Sequence, residues 1–582
     1  MDNLRVMASS LAGGRPGDVA ANARAALARV EEARAAGAEL LVLPELCLCG
    51  VSCGDLLGQP LLLDACREAA LKIAQASMGL AVVVGLPVAL GQGVYNAALL
   101  AYDGAVQGLV LKQKLSWREH RVFAPGNEAG VSEGWHCPVY AGEEGHFTLP
   151  GGQRLHLCFM EDKTKTSSSG ALALMGALPA RAGGGYTRMK VINDKAAGGL
   201  CAWANAGIYE STTDQVYDGQ ALVIMGGRML GETAQIDLSS IPWQPDPTMP
   251  YAPGEDAARA VWCREALEIV AHGLARRMVR IGAKGASLGL SGGLDSAMAL
   301  LVALRAFEIS GLDKQNLFAV SLPAFGTSRR TRSNARALLA ACGLPEREID
   351  ITASVARHLK DIGHLEGRQD AVFENAQARE RTQVLMDMAN QIGGLMIGPG
   401  DMSELALGFT TYGGDHMSMY GVNAGLYKTA IRLIVAQAAR DADNTALARV
   451  LNDILDTPIS PELIPGEDGG IRQKTEDILG PYVLNDFFLH HFLTDRLSPL
   501  QLLAKARAAF KDVYAHQEIL SCMRSFFGRF FASQFKRSCL PDGPQVLGLS
   551  LSPRGGLDMP SDASAALWIS AIDTLINQDK GE

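Results

Sequence analysis

The sequence predicts an α/β protein of two large domains joined by a proline-rich segment, and three observations carry that prediction. The chain has 582 residues, more than one hydrophobic core ordinarily serves. From Ser240 to Asp256 it reads SIPWQPDPTMPYAPGED, with prolines at 242, 245, 247, 250 and 253. Prolines at that density remove backbone donors and forbid a regular helix or central strand. On either side, short β-rich runs alternate with helical ones, the mark of layered α/β architecture. The expected division is residues 1–240, a linker at 241–258, and 259–582 with a helical C-terminal extension.

Upstream of the linker, Asp18–Ala36 has helical character, and Leu40–Leu43, Leu80–Val88, Val94–Ala101, Gln107–Leu111, Leu155–Phe159 and Ala221–Met225 read as strands. Downstream, Ala286–Leu290 is a compact apolar strand, Asp295–Phe307 a helix, Leu317–Leu322 a strand, Arg332–Cys342 a helix and Glu348–Ile351 a third strand. Strict alternation of this kind implies a doubly wound parallel sheet. From Ser498 the pattern is mainly helical, closing in the Gly-, Pro- and charge-rich stretches SQFKRSCLPDGPQV and LSPRGG.

Apolar residues make up 48% and charged residues 20% of the chain, ordinary values for a globular enzyme. No run approaches the roughly 20 apolar residues that span a bilayer, so no membrane segment is expected. Met1–Val6 lacks the basic, apolar and small-residue succession of an export signal, which points to the cytosol. The net charge is −9, and the basic clusters are local, at Arg329, Arg330 and Arg332 and at Lys536 and Arg537; a nucleic-acid partner needs a broader basic face. Eleven scattered cysteines, without the paired CxxC of a zinc site around Cys47, Cys49 and Cys53, read as reduced thiols.

The strongest local signal is Ser291-Gly292-Gly293-Leu294-Asp295-Ser296, set between an apolar strand and a helix. Two glycines in such a turn let backbone N–H groups converge on an anion at a helix N-terminus, and Ser291 and Ser296 add hydroxyl donors. Asp295 repels phosphate unless a divalent cation lies between them, so a carboxylate in this loop implies Mg²⁺. A glycine-rich helix cap with an acidic start is the structural alternative.

This hexapeptide resembles the pyrophosphate loop of the N-type ATP pyrophosphatases, which use ATP to adenylate a carboxylate or carbonyl. LPAFGTSRRTRSNA at 322–335, FENAQARERT at 373–382, GPGDMSELALGFTTYGGDHMSMYGVNAG at 398–425, Lys428-Thr429, ISPELIP at 459–465 and SQFKRSCLPDGP at 533–544 together resemble the NAD synthetases of the long bacterial type. The resemblance implies an adenine nucleotide α-hydrolase-like domain that adenylates nicotinic acid adenine dinucleotide and lets ammonia displace AMP. It implies Asp295 and Glu404 as Mg²⁺ ligands, Ser291, Gly292, Gly293 and Ser296 as the pyrophosphate cradle, and Asp415 and Lys428 as contacts to the reacting substrates. A plain surface pair is the other reading of Asp415 and Lys428. Where the family has Thr between the glycines of GPGD, this chain has Pro399, which lacks a hydroxyl and a backbone donor.

The first half is similar to the nitrilase-like glutaminase domain fused to such synthetases, through LLVLPELCLCG at 40–50, GLVLKQKL at 108–115, REHRVFAPG at 118–126 and YESTTDQVYDGQALV at 209–223. That resemblance implies an α-β-β-α sandwich and a Glu–Lys–Cys set, with Glu45 and Lys112 in the first two places. The nucleophile position, directly before Glu161-Asp162, holds Met160. A thioether has no proton to lose and cannot carry and release an acyl group as a thiol does, so the site is expected to be inactive and the amidation to use free ammonia. Cys158 lies two residues back, on the same strand face but displaced by roughly 6.6 Å, too far to substitute. Val51 replaces an expected Tyr, and Leu178–Gly185 replaces a Ser-bearing substrate loop. Glu45 and Lys112 are then expected as a buried structural ion pair. The resemblance also implies a homo-oligomer. Three other readings stay open: a glutamine-hydrolysing synthetase with an unconventional site, another ATP pyrophosphatase acting on RNA, and a non-catalytic subunit.

Overall fold

The computed structural model describes residues 4–127, 129–163, 170–458 and 475–579. It divides into two compact units, Met1–Ala180 with Gly184–Ser240, and Arg181–Gly183 with Ile241–Glu582. The ISPELIP stretch at 459–465 lies outside the described residues. Among them, no helix is long and apolar enough to cross a membrane, and all eleven cysteines are free thiols.

The first unit is a four-layer sandwich. Its helices Val19–Ala35 and Pro60–Ala76 cover a seven-stranded sheet, and Gly184–Ala196 covers a six-stranded one. Between the sheets, alternate residues such as Leu40, Val42, Val83 and Val110 from one meet Leu155, Leu157, Phe159 and Met175 from the other. Strand periodicity sends the intervening residues to the helix layers. Asp18 caps the first helix by accepting from the Ala21 N–H at 3.0 Å, which explains its start.

The second unit holds a four-stranded parallel sheet in the order Leu317–Val320, Ala286–Gly289, Leu395–Gly398, Tyr420–Gly421. Ser287 and Gly289 face the helix Ala371–Gln391: the Ser287 hydroxyl donates to Leu385 O at 2.7 Å, and a Cβ at 289 would stand 2.9 Å from Leu385 Cδ1. The long helix Asp256–Ile281 packs with Leu294–Ser310 and Lys428–Asp441. The strand expected at Glu348–Ile351 does not form. That stretch makes a single parallel bridge, Ser321 to Glu348, and Ile351 turns into the core beside Val355. Glu346 and Glu348 pair there with Arg332 and Arg336, so the charged residues are held by helix arginines rather than by a ladder. The sheet grows instead through Leu395–Gly398, with Tyr420–Gly421 beyond it.

Candidate active site

The strand Ala286–Gly289 runs into the glycine loop, and the helix Leu294–Ser310 starts immediately after it with Gly293 as its cap. Gly292 has φ of +86°, and a Cβ there would lie 2.0 Å from the Thr331 carbonyl oxygen, so no other residue fits the turn. The loop is tied internally: Ser291 Oγ accepts from the Gly293 N–H at 3.2 Å, and Ser296 Oγ donates to Gly293 O at 3.0 Å while lying 3.1 Å from Ser291 Oγ. The first N–H groups of the helix have no acceptor within it. A cavity of about 530 Å³ opens at the C-terminal ends of the parallel strands, lined by Ser291, Gly293, Asp295, Ser296, Glu404 and Asp415 among others. That is where open parallel sheets place their ligands. Gly292 turns away from the cavity to pack on the Arg329–Ala341 helix, and serves the shape of the loop.

Three helix starts converge beside the loop. Asp295 is in the first turn of Leu294–Ser310, Asp401 caps Met402–Leu407 by accepting from the Glu404 N–H at 2.8 Å, and Lys428 opens Lys428–Asp441. Carboxylates suit such positions and an ammonium does not, because helix N-termini carry partial positive charge. Lys428 is nevertheless wholly buried, with Nζ 2.6 Å from Asp295, 2.6 Å from Asp401 and 2.8 Å from Glu404. Its backbone N–H donates to Ser403 Oγ at 2.8 Å, and Asp486 holds Ser403 and Thr429 in turn. Tyr251, from the proline-rich segment, hydrogen-bonds to Thr429 and stacks on Tyr427 at 4.0 Å. Burial pushes Asp401 well above the usual carboxylate range and Glu404 up to about 7. Burial alone lowers Lys428, but the three carboxylates outweigh it and hold the amine well above its ordinary value.

Asp295 and Glu404, expected together, are together, and Asp401 joins them: carboxylate oxygens of the three lie within 4.8 Å of one another. Their all-oxygen donor set fits a hard divalent cation, and Asp295 Oδ1 is buried without a hydrogen-bond donor. The surface-pair reading of Asp415 and Lys428 fails, since Lys428 is buried among other acids, while Asp415 is exposed and accepts from the Thr411 N–H at 2.6 Å. Pro399 lines the cavity. Its carbonyl accepts from Asn423 Nδ2 at 2.8 Å, and the same amide donates to Asp295 O at 3.0 Å. Asp401 and Asn423 were visible only as letters inside the matched 398–425 stretch; what fixes their importance is the meeting of helix ends distant in sequence.

In the first unit Glu45 and Lys112 form the expected buried pair, at 2.7 Å and with side chains 1% and 2% exposed. Lys112 Nζ also meets Glu119 at 3.0 Å and Glu161 at 3.2 Å. These two acids went unrecognised as partners of the pair. Asn96 donates to Glu45 at 2.6 Å. Asp162 accepts from the backbone N–H groups of Gln113 and Lys114, clamping the end of the Lys112 strand to the Met160 turn. Burial pushes Glu45 up to about 8. Burial lowers Lys112, yet Glu45, Glu161 and Glu119 together raise it well above its ordinary value. Met160 follows the strand Arg154–Phe159, donates its N–H to Met175 O at 2.9 Å and is nearly buried. Cys158 shares its face, in one apolar cluster with Leu174 and Trp203, and is fully buried with its thiol donating to Phe159 O.

Fold and site define a class: a parallel-sheet unit with a glycine loop and an acidic cage at its cavity, sharing its chain with an α-β-β-α sandwich. The family model for NAD synthase matches residues 267–509. The chain is 34% identical over 653 aligned positions to the glutamine-dependent NAD(+) synthetase of Mycobacterium tuberculosis, covering 96% of each, and 32% identical to that of Mycobacterium leprae, covering 97% of each. It belongs to the glutamine-dependent NAD(+) synthetase family. Its fold is that of a glutamine-dependent NAD(+) synthetase from Cytophaga hutchinsonii, with a TM-score of 0.80 at 20% identity over 98% of this chain and 100% of that one. The Acinetobacter baumannii enzyme, solved with ADP, gives 0.63 at 19% identity over 91% and 94%.

Proposed function

We propose that this NAD synthetase adenylates the nicotinate carboxylate of nicotinic acid adenine dinucleotide and completes the amide with free ammonia. A carboxylate oxygen of the dinucleotide attacks the α-phosphorus of ATP and pyrophosphate leaves. Ammonia then attacks the acyl carbon and AMP leaves. Ser291, Gly293 and Ser296 grip the departing pyrophosphate with backbone and hydroxyl donors. Asp295 and Glu404 would hold Mg²⁺, which would offset the charge on the polyphosphate. Lys428 offsets charge on the transferring phosphoryl group, and Asp415 contacts substrate from the cavity wall. Asp401 is a third acid of the metal cage. The observation that carries this reading is the meeting at one cavity of the glycine loop with Asp295 and Glu404, backed by the buried Asp401.

Ammonia dependence rests on Met160. The nitrilase-like unit keeps Lys112 and its three acids but puts a thioether where the nucleophilic thiol belongs, and Cys158 is sealed in the core. The unit then serves assembly or shielding. Cytosolic residence and assembly as a homo-oligomer belong to the same reading, supported by the family resemblance.

The test compares NAD formation on glutamine with that on an ammonium salt. We expect the wild type to turn over on ammonium with release of AMP and pyrophosphate, and to run on glutamine at least about a hundredfold slower, the scale of loss that misplaced or missing chemistry brings. Met160→Cys should raise the glutamine rate and leave the ammonium rate alone. Equal rates of the wild type on both nitrogen sources would overturn ammonia dependence; no AMP release on either would overturn the synthetase reading.

A further inference from the structure

The three-carboxylate cage already holds a cation. Lys428 Nζ contacts Asp295, Asp401 and Glu404 at 2.6, 2.6 and 2.8 Å, and its side chain is fully buried. The oxygens available to a metal belong to the same three residues and lie within 4.8 Å of one another. A Mg²⁺ ion binds oxygen at roughly 2.1 Å, so an ion seated on these acids and an ammonium in contact with all three would crowd each other inside a triangle of that size. Two like charges at such separation, in a site largely shut from water, repel strongly. The ammonium takes Asp295 Oδ2, Asp401 Oδ2 and Glu404 Oε1 and leaves Asp295 Oδ1 without a partner, so a metal that starts on that oxygen competes with the ammonium for the same three residues. Asp295 and Glu404 line the cavity and Asp401 is closed behind them, so among the described residues the side on which the site opens is the one facing the cavity.

We propose that Lys428 is the resident cation of the metal-free cage, and that a divalent cation enters by exchange, turning the ammonium out toward the cavity. The proposal rests on the synthetase reading for the cation's purpose but not for its binding. Metal arrival and delivery of Lys428 to the substrate side become a single event. The ammonium keeps three converging acids neutralised until then, so the resting enzyme need not hold an open anionic hole at the ends of three helices.

The test uses the full-length chain without nucleotide and Mn²⁺ as the probe, with free Mn²⁺ followed by electron paramagnetic resonance. Exchange predicts that Lys428→Met, which keeps the length of the side chain and removes its charge, binds Mn²⁺ at least about tenfold more tightly than the wild type, because the resident competitor is gone. Equal or weaker binding overturns the proposal, as does the absence of Mn²⁺ binding by a folded variant. A second measurement needs no variant: acylation of Lys428 by an amine-reactive ester, quantified by peptide mass spectrometry with and without Mn²⁺. Exchange predicts a severalfold rise in labelling with metal, and unchanged or reduced labelling overturns it. Failure of the NAD-forming assay with these metal results intact would sink the synthetase reading alone; normal NAD formation with unchanged Mn²⁺ affinity would sink the exchange alone.

Discussion

Gly292 shows how much of the nucleotide loop depends on a missing atom. Its φ of +86° is strained for an L side chain, and the space that a Cβ needs is filled by the Thr331 carbonyl at 2.0 Å. Because that obstacle is backbone in a neighbouring helix, it cannot swing aside. Gly292→Ala should open the turn and lower NAD formation by at least about a hundredfold, while Gly293→Ala, where an added Cβ meets only Ser291 Oγ at 3.4 Å, should cost far less. Comparing the initial rates of the two folded variants checks this, and equal losses would contradict it. The loop itself was legible, since two glycines between a strand and a helix carry their meaning in the text. The partner carbonyl was not, because Thr331 comes from another helix and nothing local marks it.

At the level of elements, two short 3-10 turns of the nitrilase-like unit dock through one acid. Glu210, in the turn Ile208–Glu210, accepts from the Val51 N–H at 2.8 Å with its carboxylate, and its carbonyl accepts from Ser52 Oγ at 2.7 Å, both residues starting the turn Val51–Gly58. Its other carboxylate oxygen is buried without a partner. Burial pushes Glu210 up to about 7 from an ordinary 4.5. A carboxyl whose folded value is raised favours the native state when protonated, so its contribution is complete below about pH 4.5 and is lost as pH rises through about 7. The loss amounts to about 3 kcal/mol at 1.36 kcal/mol per unit. Denaturant titrations at several pH values should show wild-type stability falling by this amount relative to Glu210→Gln between about pH 4.5 and pH 8; parallel curves would refute it. Elements with strong periodicity or a cap, such as Val19–Ala35 after Asp18 and the strands Ala81–Leu90 and Gly93–Tyr102, could be read from sequence. Glu348–Ile351 misled because of its two β-type isoleucines only Ile351 is buried, Ile349 being exposed, while Glu348 serves arginines, and Leu395–Gly398 was passed over because four residues beside two glycines carry little pattern.

Among the described residues one electrostatic device appears twice, once in each unit: a buried lysine surrounded by three acids, Lys112 with Glu45, Glu119 and Glu161, and Lys428 with Asp295, Asp401 and Glu404. A lysine and one acid of the first, and a lysine and two acids of the second, could be read from the residues; the remaining members come from separate segments that only folding collects. The thioether at 160 has a further consequence for covalent reagents. Alkylating mimics of glutamine act by offering an electrophilic carbon to a thiolate, and on the proposed reading the position that would receive it, Met160, has none. The alternatives are shut: Cys158 is enclosed, burial pushes Cys53 and Cys137 up to about 11, and it pushes Cys201 up to about 12. Intact-mass measurement after such treatment should find the nitrilase-like unit unmodified in the wild type and carrying one adduct in Met160→Cys; an adduct on wild-type Cys158 would count against this. On the ammonia-dependent reading proposed above, want of one exchangeable proton at position 160 closes the chain to a whole class of active-site poisons.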